Sequence, residues 1–186
     1  MNQKKMRISK SQWFEKGLEL LLQGGIQAVV IDQMAKELDI SKTGFYWHFE
    51  NKQDLLVQML DYWEYEYTLS IRNYLDNQID TSPEKKLLFI MKHVQQEKLS
   101  RYDLAIAAWA RVDPIADEYF NRTIAIRHKV VKSLFKALGF KGNDLENRTR
   151  LFVSYETFSP ICVSGDSDNK IILLQKERLK LLLKKT

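Results

Sequence analysis

A single cysteine, Cys162, stands among the 186 residues, so the chain has no internal disulfide and no thiolate cluster for zinc. Proline (3) and glycine (7) are scarce, which speaks against a β-rich or low-complexity protein and for long helices. Long apolar runs are missing as well. The longest, Leu104 to Ala110, is far shorter than the roughly 20 residues a membrane-spanning helix needs, which excludes a transmembrane protein. After the basic start, the leucines are interrupted by Glu19 and Gln23, and neither a signal-peptide core nor a small-residue cleavage site is found there. A reducing, cytoplasmic location is the expectation. GxSxG, GxxxxGK and GxGxxG are all absent, and Cys162 has only the distant His93 and His128 for partners, so no enzyme and no cofactor are expected.

What is present is helical pattern and positive charge. Apolar residues make up 45% of the chain, enough for a core. The net charge is +5 and unevenly spread: residues 1–52 carry +2, residues 53–169 carry −2 and residues 170–186 carry +5. Lys4, Lys5, Arg7 and Lys10 crowd the start without an acid among them. A basic terminus suits a polyanion, and equally a solvated tail. The basic stretch from Lys170 reads most simply as the wet face of a helix.

The periodicity predicts an all-α chain of about nine helices. Trp13, Phe14, Gly17, Leu18, Leu21 and Leu22 form the stripe of a first helix that Gly24-Gly25 ends. A short helix over about Asp32 to Leu38 comes next, then a tight turn at Asp39-Ile40-Ser41. A third helix, Lys42 to Phe49, is barely two turns long, with Ser41 placed to cap it. A long fourth helix runs from Asn51 or Lys52 to about Asn77. Ser82-Pro83 opens the next, and Asp113-Pro114 separates a helix at about 101–112 from one reaching Leu138. The last two begin near Asn143 and Lys170, divided at Gly165–Asp168, and Pro160 should kink or end the earlier of them. The Asp166–Asn169 loop lacks the terminal glutamate of a calcium loop.

Residues 31–49, a helix, a three- or four-residue turn and a short helix, have the spacing of a helix-turn-helix. The second helix of such a motif must enter a groove about 12 Å wide, with one face locked inside and the other presented. Ile40, Phe45 and Phe49 can turn inward, which leaves Lys42, Thr43, Tyr46, Trp47 and His48 facing out. Two exposed aromatics on so short a helix need cover, and DNA backbone and thymine methyls provide it.

These residues resemble the TetR family of bacterial transcriptional regulators. The resemblance lies in Ile31-Asp32-Gln33-Met34-Ala35, in Ile40-Ser41-Lys42-Thr43-Gly44-Phe45-Tyr46-Trp47-His48-Phe49 and in Lys52-Gln53-Asp54-Leu55-Leu56. It covers about residues 7–60 closely. Two departures stand out: Val30 replaces the usual Ser or Thr cap, at about 1 kcal/mol, and Asp39 replaces a turn glycine in the left-handed region. The resemblance implies a helix-turn-helix DNA-binding domain over residues 1–52 and an effector-binding and dimerisation domain over 53–186. It implies DNA contacts from Ser41, Lys42, Thr43, Tyr46, Trp47, His48 and Lys52. It further implies a homodimer through the last two helices, for which Leu151, Phe152, Tyr155, Leu174, Leu179 and Leu182 are the candidates, and a repressor released from its operator by an effector. Aromatics on several helices, with Trp63, Tyr67, Phe89, His93, Trp109 and Phe120 the candidates, suggest a cavity for a small hydrophobic or aromatic effector, against a simply filled core. His93, Glu97 and His128 are a weak metal set, and no metal is expected. The competing function is a helical small-molecule binder or enzyme that keeps the module unused.

Overall fold

Ser9 opens the first helix of the computed structural model, which describes residues 8–162 and 168–185. Its hydroxyl accepts from the Gln12 amide while the Gln12 side chain accepts from the Ser9 amide, a capping box. Helix α1, Lys10–Gly24, buries Trp13, Phe14, Leu18 and Leu21 and ends at Gly25, whose φ of 69° suits glycine. After a 3-10 turn at Ile26–Ala28 comes α2, Ile31–Glu37, which has no side-chain cap at Val30, in line with the sequence expectation.

The long fourth helix expected from the sequence is one continuous rod with a defect inside it. α3, Lys52–Glu64, passes into a π-helical segment, Tyr65–Leu69, and continues as α4, Ser70–Asn77, with helical dihedrals at both junctions. A π turn holds one residue more than an α turn, so the side chains beyond it are rotated relative to those before it. Ser82 accepts from the Lys85 amide and Pro83 takes the first position of α5, Pro83–Gln96. α6 spans Leu99–Ala110 and starts two residues earlier than its pattern suggests, at a left-handed Lys98. Asp113 accepts from the Ile115 and Ala116 amides and starts α7, Pro114–Ala137. α8 covers Gly142–Cys162 and α9 covers Asp168–Leu183. Pro160 therefore does not stop α8 at Ser159. The helix runs on through it to Cys162, without the bond that an amide at position 160 would make to the Glu156 carbonyl. Lys4, Lys5, Arg7 and the break at 165–167 lie outside the described residues.

Two apolar clusters organise the packing. The first joins α1, α2 and the aromatic turn to Leu55, Met59, Leu60 and Trp63 of α3 and to Ile106 and Trp109 of α6. The second gathers Leu87 and Met91 of α5, Val131 and Phe135 of α7, Phe152 of α8 and Leu179 and Leu182 of α9. The first core crosses residue 52 and reaches α6, so the N-terminal module is seated on the larger helical body rather than tethered to it. Gly17 marks the closest seam: a Cβ there would stand 2.6 Å from Met59 Sδ, so α1 meets α3 where only hydrogen fits. Among the described residues, no helix is long and apolar enough to cross a membrane.

Candidate nucleic-acid interface and effector cavity

The turn between α2 and the next short helix is held by backbone bonds. Leu38, Asp39 and Ile40 donate to Met34, Lys36 and Ala35 carbonyls at 2.9, 3.2 and 3.0 Å. Asp39 takes φ 53°, the left-handed position expected from its place in the sequence. The next element is a 3-10 helix, Lys42–Trp47, in place of the α-helix to Phe49 that the pattern suggested, and Ser41 makes no side-chain cap. Three residues per turn put Thr43 and Tyr46 one above the other and leave the hidden ring, Phe45, on a different side.

Burial sorts this turn sharply. Phe45 and Phe49 are buried, with ring centroids 5.4 and 6.2 Å from Trp13 in edge-on contacts that fasten the turn to α1. Tyr46 is 57% exposed and Trp47 73%, and Ser41, Lys42 and Thr43 also face solvent. His48 is half-buried, its ring 6.0 Å from Phe49. Lys42 reaches back to Asp32 at 2.8 Å, and that carboxylate raises the ammonium above its usual pKa. A nucleic-acid phosphate at this edge would compete with Asp32 for the same cation.

Lys52, half-buried, opens α3. The Asn51 side chain accepts from the Asp54 amide at 3.0 Å, and the Asp54 carboxylate accepts from the Glu50 amide at 3.0 Å. The Gln58 side chain and the Glu50 amide hold the Asp54 carboxyl below its usual range. Two of the amides at this helix start are thus already engaged, and the ammonium of Lys52 is the feature left to meet an anion.

α7 clamps the rod through three polar steps. Tyr119 donates to Asp61 at 2.6 Å. Arg122 lies bidentate on Glu64 at 2.9 and 2.8 Å, with Thr123 donating to the same carboxylate at 3.0 Å. Burial pushes the Glu64 carboxyl up, but Arg122 and Thr123 outweigh it and hold the pKa below the ordinary value. At the third step Arg127 lies bidentate on the buried Asp103 at 2.7 and 3.0 Å, and its Nε donates to Thr68 of the π segment at 2.9 Å.

Beside that third step is a part-open cavity of about 60 Å³ between the rod and α5 to α8, with Tyr67, Thr68, Ile90, Arg127, Val131 and Phe152 in its wall. Of the six candidate effector residues only Tyr67 reaches it. Burial there raises the Tyr67 phenol above its ordinary pKa. Trp63 is fully buried, stacks on Phe120 at 6.3 Å and donates to Asp103 at 3.1 Å. Trp109 packs in the N-terminal core, while Phe89 stacks with Tyr74 and His93 at 4.5 and 5.6 Å away from the cavity. The other five candidates pack elsewhere, and the wall of this cavity is mainly aliphatic, with Tyr67 and Phe152 as its two rings. The residues that sequence reasoning missed are Thr68, Asp103 and Arg127, whose pattern in sequence is that of ordinary polar positions on helices. Among the described residues no group of three His, Cys, Asp or Glu side chains is placed to hold a metal.

The proposed interface residues divide in the same way. Leu151 (62% exposed) and Leu174 lie open, together with Ile172, Leu173 and Leu181. Phe152, Leu179 and Leu182 are buried in the chain's own second core, and Tyr155 lies under the Arg178 guanidinium, 3.7 Å from its ring. α8 and α9 are amphipathic on two sides, and spacing alone does not say which side meets α5 and α7.

Residues 14–59 match the model of the bacterial regulatory proteins of the tetR family. Over this module, about a quarter of the chain, the sequence is similar to that family. A curated relative, the uncharacterized HTH-type transcriptional regulator YerO of Bacillus subtilis (strain 168), is 38% identical over 63 residues, 34% of this chain and 20% of that protein. The match thus spans about a fifth of that relative's length. Solved structures share the fold over nearly the whole chain at low identity. A transcriptional regulator from Rhodococcus sp. Rha1 has a TM-score of 0.72 at 15% identity, covering 95% of this chain and 94% of its own. The regulator FadR from Bacillus subtilis, in complex with stearoyl-CoA, has a TM-score of 0.69 at 13% identity, covering 94% and 98%.

Proposed function

We propose that the chain is a homodimeric, sequence-specific transcriptional repressor that leaves its operator when a small apolar effector enters the cavity beside the π segment. The observation that carries this reading is the sorting of one turn: Phe45 and Phe49 are buried while Tyr46 and Trp47 stand in solvent. A monomer gains nothing from exposing two large rings on six residues, whereas a major groove covers them. In this reading residues 1–52 are the DNA-binding domain and 53–186 the effector and dimerisation domain, and the protein works in the cytoplasm. Thr43 and Tyr46 reach base edges, and Ser41, Trp47, His48 and Lys52 hold phosphates. Lys42 exchanges Asp32 for the DNA backbone.

A module this small needs a second copy, with reading turns about 34 Å apart on successive grooves. The open leucines of α8 and α9 are the surface proposed for that pairing. The effector acts through the rod, which carries the reading head at one end and a wall of the cavity at the other. A ligand that moves Thr68 or Arg127 changes how α7 holds the rod and so the spacing of the two heads. About 3 kcal/mol of preference for one spacing lowers DNA affinity more than a hundredfold. The acyl-CoA bound by FadR supports an apolar effector in this fold. Footprinting on DNA upstream of the protein's own gene tests the reading. A protected pair of half-sites about one helical turn apart supports it, and salt-independent or absent binding leaves a helical small-molecule binder with an unused module.

A further inference from the structure

The charges around the cavity are not balanced, and the imbalance is on one side. Inside, Asp103 is closed by Arg127 and Glu156 by Arg178 at 3.0 Å. Arg72 also borders the cavity, half-buried, and its guanidinium donates to the neutral Asn73 amide oxygen at 3.4 Å. The same Arg72, with Val130, borders a second hollow of about 480 Å³ that opens outward between α4, α5 and α7. Among the described residues that line this hollow, Lys86 and Lys129 stand with a single acid, Asp76. Lys86 donates to the Leu75 carbonyl at 2.7 Å, a neutral partner that leaves its charge uncompensated. An apolar chamber and a cationic groove thus share a threshold at Arg72.

We infer that this site takes an anionic amphiphile, its slender alkyl tail in the cavity and its carboxylate or phosphate head at Arg72, facing the groove. The inference rests on reading the cavity as the effector site. Size narrows the tail: a dry cavity that binds benzene measures about 150 Å³, so a part-open cavity of about 60 Å³ suits a slender unbranched chain, extending through its mouth, better than a ring. Charge selects the head, because a cation would meet Arg72 while both acids inside are already paired. A planar guanidinium at the threshold is suited to a bidentate grip on carboxylate or phosphate.

Calorimetry on the full chain with octanoate, octyl phosphate, octanol and octyltrimethylammonium tests this. Octanoate or octyl phosphate should bind at least tenfold more tightly than octanol, and the cation most weakly. Arg72→Gln should abolish that preference, and Arg72→Lys should restore part of it, which separates lost charge from lost fold. Lys129→Gln, at an exposed position, should weaken octyl phosphate more than octanoate if the head is a phosphate, and neither if it is a carboxylate held at Arg72 alone. Octanol binding as tightly as the anions, tighter binding of the cation, no binding of any probe, or an Arg72→Gln variant with the full preference would each overturn the inference. DNA binding measured on the same protein without amphiphile keeps the two readings apart, since its presence alongside any of these failures leaves the regulator intact and removes only the ligand class.

Discussion

Arg127 lies flat on the carboxylate of Asp103, 24 residues earlier, with one nitrogen at 2.7 Å from one oxygen and another at 3.0 Å from the second. Its third nitrogen holds Thr68, and the Trp63 indole shares the same carboxylate. α3, the π segment, α6 and α7 therefore meet at one buried charge pair, directly against the cavity.

Asp103→Ala should be severe. It strands a guanidinium and an indole N–H in an apolar surround, a loss of about 3–5 kcal/mol for a broken buried pair. At about 2–4 °C per kcal/mol for a chain of this length, the melting temperature should fall by roughly 10 °C in calorimetry. The double variant Asp103→Leu with Arg127→Met should recover much of that loss, because no charge is then left buried alone. A single variant melting within a degree or two of the parent would show that the pair is not tightly held.

Glu156 sets a pH dependence. Burial pushes its carboxyl up from 4.5 to about 7, against the pull of Arg178. A carboxyl with a folded pKa above its unfolded one binds its proton more tightly in the fold, so its contribution to stability is greatest below pH 4.5 and is lost as pH rises through 7. Measured as melting temperature from about pH 4.5 to 8, the parent should lose stability relative to Glu156→Gln across that window. Parallel curves for the two proteins would mean that Glu156 titrates as an ordinary surface acid.

The sequence showed most of what is local. Asp39 in a left-handed turn, Ser82-Pro83 and Asp113-Pro114 as helix starts, and the inward Phe45 and Phe49 all derive from residue type and spacing, and the structure has each of them. The π segment was not legible, because nothing in Tyr65–Leu69 by itself favours it. It forms where Thr68 meets Arg127, 59 residues away. Lys98 in the left-handed region is likewise a requirement of the turn between α5 and α6, not a preference of lysine. The lining of the cavity was not legible for a related reason: aromatic spacing marks a helix face, but only packing decides whether that face meets another ring or a void. Trp63 and Phe120 stack on each other, while the cavity wall draws on valines, isoleucines, Tyr67, Phe152 and the Asp103–Arg127 pair.

The open leucines offer a test of the pairing. Leu151→Lys with Leu181→Lys changes two exposed positions, 62% and 71% in solvent, so the fold of a single chain should be preserved. Light scattering should show a dimer for the parent and a monomer for the variant, and operator affinity should fall by at least tenfold through loss of the second half-site. A dimer of unchanged strength would move the interface elsewhere.

Titration of fluorescent upstream DNA at several salt concentrations, with the parent, Tyr46→Ala and Lys52→Ala, bears most directly on the reading turn. Tyr46→Ala should reduce the preference for operator over random DNA by about 1–3 kcal/mol. Lys52→Ala should weaken binding to both sequences and make the slope of log affinity against log salt shallower by about one. Parent-like affinity, specificity and salt slope in both variants would contradict the placement of this turn in a DNA groove.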